Sequence, residues 1–208
     1  MHHLIQIWSD WIRNGGYVFV ILFMGISSTP FPLPAEAVVP IAAFLAAQGQ
    51  FSLWGIILAS TLGAYLGAAV MYWLSLWLGR PLVVRFGRFI LFPPKKLDEA
   101  EHWLTRYEAG GIFFARLLPG VRHLISIPAG IVRMNFTVFS VTTLLGSAIS
   151  CSILAYLGVR AQRVAPDLLN DPEALVHFVR SQTKWLLLVV LAFAALYILS
   201  MWLSKRKS

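Results

Sequence analysis

The apolar run 110–134 limits the fold more than any other part of the chain. It reads GGIFFARLLPGVRHLISIPAGIVRM and carries Arg116 and Arg122 on either side of Pro119-Gly120. A guanidinium group at the centre of a bilayer costs from about 3 to more than 10 kcal/mol unless it has a partner or water. Irregular backbone at that depth must also be covered by protein or line a wet cavity. The run therefore predicts two short helical legs joined at Pro119-Gly120 and buried among other helices.

The composition predicts a polytopic membrane protein with a single domain, 1–208. Hydrophobic residues make up 58% of the 208 residues and charged residues only 12%, which leaves too little polar surface for a soluble protein. Most of the lysines and arginines behind the net charge of +8 lie between apolar segments or at their ends. This placement favours anionic lipid headgroups over nucleic acid as the partner, and a basic patch with interleaved aromatics is absent from the sequence.

The first half of the chain predicts a second broken hairpin. Residues 1–16 fit an amphipathic helix in the membrane interface, and residues 17–48 form two apolar legs around Pro30, Pro32 and Pro34. Each leg would be about 20 Å long as a helix, whereas the hydrocarbon core is about 30 Å thick. A re-entrant hairpin is therefore expected, with a first leg, 17–29, that crosses fully on a tilt as the alternative.

The remaining segments complete an all-α fold. We expect two inverted re-entrant hairpins, about three full spanning helices and amphipathic interfacial helices. The predicted segments are a span at 51–78, a cytoplasmic loop with an amphipathic helix at 79–108, the arginine hairpin at 110–134, a span at 136–160 and a last span at 184–203.

An internal repeat and the charge distribution predict the topology. Pro34 precedes Phe51 by the same 17 residues that separate Pro119 from Phe136, so each half is a broken hairpin followed by a span. If each hairpin enters and leaves on one side, the halves are inverted. The side with more Lys and Arg then holds the C-terminus, which the positive-inside rule places in the cytoplasm. The arginine hairpin would enter the membrane from the cytoplasm and the other hairpin from outside.

Two interpretations of the charged residues remain open. Arg116 and Arg122 can clamp a phosphate group, because guanidinium is permanently charged and offers a planar fork of donors. They can instead pair with Glu36, Glu108 or backbone carbonyls and hold the hairpins together. Glu36 can carry a proton, since an apolar environment raises the pKa of an acid, or simply pair with an arginine. His123 can assist phosphate binding or be an ordinary interior histidine.

Enzyme and metal chemistry are not indicated by the sequence. The His, Cys, Asp and Glu residues do not have metal-ligand spacing, and the common catalytic motifs are absent. We therefore expect no cofactor, no metal and no catalytic residue.

The chain resembles the DedA family of bacterial membrane proteins, relatives of the eukaryotic VTT-domain (SNARE-associated) lipid scramblases, over roughly residues 30–160. The most specific part is FARLLPGVR at 114–122, which is similar to the family's R-F-x-P-x-x-R pattern. Pro34-Ala35-Glu36 is similar to the family's P-x-E. The pattern continues through Ala129-Gly130, Met134, Phe139 and Gly146, and Gly67, Tyr72 and Gly79-Arg80 are similar to a further family run.

The resemblance implies lipid translocation in the bacterial cytoplasmic membrane. Its leading form is a flippase that recycles undecaprenyl phosphate, with Arg116 and Arg122 binding the phosphate and Glu36 linked to proton-motive force. A phosphatidylethanolamine or general phospholipid flippase or scramblase is the alternative, and a membrane-embedded lipid phosphatase is less favoured. The family Asp after the Gly of the first span is Ala68 here, and Met24-Gly25-Ile26 stands where a second family acid often lies. Glu36 is thus the only acid within the apolar hairpins and spans, and a homo-oligomer remains open.

Overall fold

The computed structural model describes residues 2–28, 35–87, 94–118 and 121–164, and these form seven helices with no strand. The all-α prediction is confirmed for these ranges. The helices are α1 (His2–Ser27), α2 (Ala35–Ala47), α3 (Leu53–Gly87), α4 (Pro94–Leu117), α5 (Val121–Leu124), α6 (Ser126–Ile131) and α7 (Phe136–Val164). The predicted last span, 184–203, and the turn residues Pro30, Pro32, Pro34, Pro119 and Gly120 lie outside the described residues.

Two described helices are long and apolar enough to cross a membrane, Leu53–Gly79 within α3 and Phe136–Val164. At 1.5 Å per residue each is about 40 Å long, which exceeds a hydrocarbon core of about 30 Å. The outer face of α3 is a stripe of exposed apolar residues one turn apart, namely Leu58, Leu62, Leu66, Val70 and Leu74. Such a stripe would be unfavourable in water and is typical of a lipid-facing helix.

Glycines and an asparagine define several helix boundaries. Gly16, with φ 56°, kinks α1 where the sequence predicts the interfacial helix to end. Gly79, with φ 67°, kinks α3 at the end of its apolar part, and the helix continues to Gly87. The Asn135 Oδ1 accepts hydrogen bonds from the backbone N–H groups of Thr137 (2.9 Å) and Val138 (3.4 Å), which caps the start of α7.

The second half differs from the prediction at two places. The amphipathic segment and the first leg of the arginine hairpin form one continuous helix, α4, instead of separating near residue 109. Gly110 and Gly111 are tolerated inside it because the following turn is packed, with Ile112 fully buried. The second leg consists of two short helices, α5 and α6, separated at Ile125.

In each half, the second leg of the hairpin packs on the long helix of the other half, an arrangement called here the exchange of second legs. Helix α1 lies on α3 and α4 lies on α7, within each half, whereas α2 packs on α7 and α6 packs on α3, across the halves. A Cβ on Gly130 of α6 would lie 2.4 Å from the Tyr72 carbonyl oxygen, and a Cβ on Gly158 of α7 would lie 2.3 Å from the Pro40 carbonyl oxygen. The backbones therefore touch at both crossings, and neither half buries its apolar surface without the other.

Contacts between the helices give their directions. The Tyr17 hydroxyl accepts a hydrogen bond from the Ser52 N–H, and Gly25 lies against Gly67, so α1 runs beside the first part of α3 in the same direction. Helices α3 and α7 run in opposite directions, because the Tyr72 ring lies 5.4 Å from the Phe136 ring while the hydroxyl of Tyr65, earlier in α3, lies 3.1 Å from that of Ser140, later in α7.

Candidate functional site

Arg116 lies in the last turn of α4 and is only 3% exposed. Among the described residues, Arg116 is the one charged residue that is buried. The burial of a guanidinium group predicted from the apolar run is thus present in the structure. Because its charge cannot be neutralised at ordinary pH, the surrounding groups must stabilise it by hydrogen bonds.

The described hydrogen bonds of the Arg116 guanidinium go to neutral acceptors. Nη1 donates to the Arg122 carbonyl oxygen at 2.7 Å, and Nη2 donates to the Ser126 Oγ at 2.7 Å. The Nε is buried and has no hydrogen-bond acceptor. The geometry therefore orients a cation while leaving one of its donors unused.

Helix α7 forms the platform on which Arg116 rests. The Ser150 Oγ donates to the Arg116 carbonyl oxygen at 3.0 Å. A Cβ on Gly146 would lie 2.7 Å from the Arg116 Cβ, so the arginine fits only because residue 146 has no side chain. The guanidinium carbon lies 6.0 Å from the centroid of the buried Phe139 ring, which is the range of a cation–π contact.

An aromatic cluster joins this platform to α3. The Tyr72 ring lies 4.8 Å from the Phe139 ring and 5.4 Å from the Phe136 ring. The Tyr72 hydroxyl also donates a hydrogen bond to the Met134 carbonyl oxygen. The cluster fixes the chain between α6 and α7 against the first span, and it thereby fixes the position of Phe139 under Arg116.

Arg122 lies in α5 and is half-buried. Its carbonyl oxygen accepts the hydrogen bond that the Arg116 Nη1 donates. The structure thus brings the two predicted arginines together. Glu36 lies in the first turn of α2 and His123 lies in α5, but both side chains fall outside the described part of the structure.

Several hydroxyl groups are buried in the described interior, and the sequence did not assign them to the site. Ser126 and Ser150 contact Arg116 directly, whereas Thr143 and Ser60 have buried hydroxyl oxygens without a partner. Serine and threonine on a membrane helix commonly bond to their own backbone, so their residue type alone gave no signal. Within the described ranges no group of three or more His, Cys, Asp or Glu residues is placed to hold a metal ion.

An all-helical bundle with two long apolar helices and an arginine buried in the last turn of α4 is typical of a membrane protein. The VTT domain matches residues 33–160, and the chain belongs to this family, the DedA family. This confirms the resemblance carried by the arginine motif.

Several bacterial relatives align with most of the chain. The chain is 31% identical over 207 residues to the uncharacterized membrane protein YkoX of Bacillus subtilis (100% of this chain and 87% of the relative). It is 32% identical over 170 residues to the undecaprenyl phosphate transporter A of the same organism (82% and 84%). An alkaline phosphatase-like protein of Lactococcus lactis subsp. cremoris is 31% identical over 148 residues (69% and 69%). No solved structure matches the chain.

Proposed function

We propose that this protein is a translocase for a lipid phosphate, with undecaprenyl phosphate as its substrate. The observation that carries the proposal is Arg116, a cation 3% exposed whose described acceptors are neutral and whose Nε donor is unused. A buried cation held in this way attracts an anion that enters the membrane interior. The name of the Bacillus subtilis transporter supplies the substrate class.

In the proposed mechanism Arg116 and Arg122 bind the phosphate while the prenyl tail stays in lipid. The parallel course of α1 and α3, followed by the return of α2 to the start of α3, supports a first hairpin that enters and leaves on one side. The opposite directions of α3 and α7 support an inverted second half. The tips of the two hairpins would then alternate in admitting the headgroup from either side of the bilayer.

Glu36 and His123 have supporting roles in this proposal. Glu36 would be displaced from the arginines or protonated when the phosphate binds, which would link transport to proton-motive force. His123, next to Arg122, would add a donor to the phosphate. By the positive-inside rule the C-terminus lies in the cytoplasm, so the arginine hairpin would open toward the cytoplasmic face of the bacterial membrane.

The test measures the orientation of undecaprenyl phosphate in proteoliposomes. Arg116→Ala and Arg122→Ala should each reduce the translocation rate at least tenfold, because a charge-assisted contact to phosphate is lost. Arg116→Lys should remain impaired, since an ammonium cannot reproduce the planar fork. Arg160→Ala removes an exposed arginine from α7 and serves as the matched control. Unchanged transport in both Arg→Ala variants would contradict the proposal.

A phosphatidylethanolamine or general phospholipid translocase is the second candidate, because a buried guanidinium also attracts a phosphodiester. Excess phosphatidylethanolamine would then compete with undecaprenyl phosphate for transport. A phosphatase activity is the third, and the name of the Lactococcus relative is the observation that favours it. Release of inorganic phosphate from undecaprenyl phosphate by the purified protein would support that activity over transport.

A further inference from the structure

Three hydrogen-bond donors in the described interior have no acceptor, namely the Arg116 Nε and the hydroxyls of Thr143 and Ser60. Ser60 lies on α3, whereas Thr143 lies on α7, the helix that packs against Arg116. Arg116 is 3% exposed and Thr143 is fully buried. Buried polar groups are nearly always hydrogen-bonded in folded proteins, so each exception calls for an explanation.

The position of Thr143 on α7 places its hydroxyl and the Arg116 Nε on one side of that helix. Thr143 follows Phe139 by four residues and precedes Gly146 by three, and residues at these spacings share a helix face. The guanidinium carbon of Arg116 lies 6.0 Å from the centroid of the Phe139 ring, and a Cβ on Gly146 would lie 2.7 Å from the Arg116 Cβ. Thr143 therefore faces α4 between the two residues of α7 that contact Arg116.

The hydroxyl of Thr143 does not take the backbone acceptor that a helical threonine ordinarily uses. The neighbouring Thr142 shows the usual arrangement, in which its Oγ1 donates to the Val138 carbonyl oxygen at 2.7 Å and to that of Phe139 at 3.2 Å. Thr143 makes no such bond and keeps its hydroxyl in the interior. Its donor is thus available to a group that enters from outside the chain.

We propose that Thr143 is a substrate-binding residue whose hydroxyl, together with the Arg116 Nε, donates to the phosphate monoester of the transported lipid. This inference rests on the function proposed above and adds a neutral donor to the arginine pair. The two donors can each bind a terminal oxygen of a phosphate monoester. The positive charge of the Arg116 guanidinium would repel the ammonium group of another headgroup. Since both donors are closed off from solvent and lipid, headgroup entry must move the Arg116 side chain or the Phe139 ring.

The test compares Thr143→Val with Thr143→Ser and Thr142→Val. Valine keeps the shape of threonine without the hydroxyl, serine keeps the hydroxyl, and Thr142→Val removes a neighbouring hydroxyl that already has an acceptor. The apparent dissociation constant of undecaprenyl phosphate is measured for the purified full-length protein in nanodiscs, with undecaprenol as the probe that lacks phosphate. Competition by inorganic phosphate distinguishes recognition of the free anion from recognition of the lipid-borne group.

Thr143→Val should weaken undecaprenyl phosphate binding roughly 10- to 100-fold, the effect of losing a hydrogen bond to a charged group. Its undecaprenol binding and its melting temperature should not fall, because an unpartnered buried hydroxyl is replaced by a methyl group. Thr143→Ser and Thr142→Val should bind like the wild type. Wild-type affinity in Thr143→Val, alongside lost affinity in Arg116→Ala, overturns this inference alone. Equal binding of undecaprenyl phosphate and undecaprenol by the wild type overturns the proposed function as well.

Discussion

The Arg116 Nη2 donates a hydrogen bond of 2.7 Å to the Ser126 Oγ, and this bond ties the end of α4 to the start of α6. The two residues lie on opposite sides of the predicted hairpin turn, so the contact joins its two predicted legs. Ser126 is fully buried, and its hydroxyl therefore has few alternative partners.

Ser126→Ala should lower both the stability and the transport activity of the protein. Removal of the acceptor leaves a buried guanidinium N–H unsatisfied, and a loss of about 1–3 kcal/mol in the free energy of unfolding is expected. Transport should fall several-fold because Arg116 is no longer oriented. Melting temperature in detergent and lipid translocation in proteoliposomes check the two effects. Ser152→Ala, at an exposed position of α7, is the control, and an equal response of the two variants would contradict the role of Ser126.

Gly146→Ala should displace Arg116 from its platform. The added Cβ would lie 2.7 Å from the Arg116 Cβ and 3.2 Å from the Phe113 carbonyl oxygen, so α4 and α7 must separate. Overpacking of this kind costs about 1–3 kcal/mol. We expect a lower melting temperature and a larger loss of transport than of protein abundance in the membrane. Leu145→Ala, at the neighbouring lipid-facing position, should keep its transport rate; equal impairment of both variants would rule out a specific role of Gly146.

The sequence predicted the arginine site better than the groups that support it. Arg116 stands out because a permanent charge inside an apolar run has few stable placements, and the structure buries it as expected. Ser126 and Ser150 gave no comparable signal, because serine is an ordinary residue in membrane helices, and Phe139 was singled out only as part of the family pattern. Their roles depend on which helices meet, and the exchange of second legs between the halves cannot be derived from periodicity along one helix. The continuity of α4 was missed for a similar reason, since tertiary packing around Ile112 outweighs the low helix propensity of Gly110 and Gly111.

Tyr72→Phe tests the aromatic cluster that fixes Phe139. The phenylalanine ring retains the packing against Phe136 and Phe139, but the hydrogen bond to the Met134 carbonyl oxygen is lost. A loss of about 0.5–1.5 kcal/mol in the free energy of unfolding is expected, with a modest reduction in transport. Tyr156→Phe changes a tyrosine that is 61% exposed on α7 and should leave the melting temperature unchanged. A melting temperature of Tyr72→Phe equal to that of the wild type would show that the hydroxyl does not hold the chain between α6 and α7 against α3.

The exchange of second legs predicts that two distant glycine substitutions have the same effect. Gly130→Ala would force α6 from α3, and Gly158→Ala would force α7 from α2, because each new Cβ meets a carbonyl oxygen at 2.4 or 2.3 Å. A backbone atom cannot move aside as a flexible side chain can, so each variant should lose about 1–3 kcal/mol or more. The crossing of α6 with α3 and the crossing of α2 with α7 occupy corresponding places in the two halves, so both variants should also slow lipid transport. Neither glycine contacts Arg116 in the described contacts. Ser152→Thr adds a methyl group to an exposed position of α7 and should have little effect in the same thermal unfolding assay. If Gly130→Ala lowered the melting temperature and Gly158→Ala did not, the expectation that each half depends on the other for its packing would be wrong.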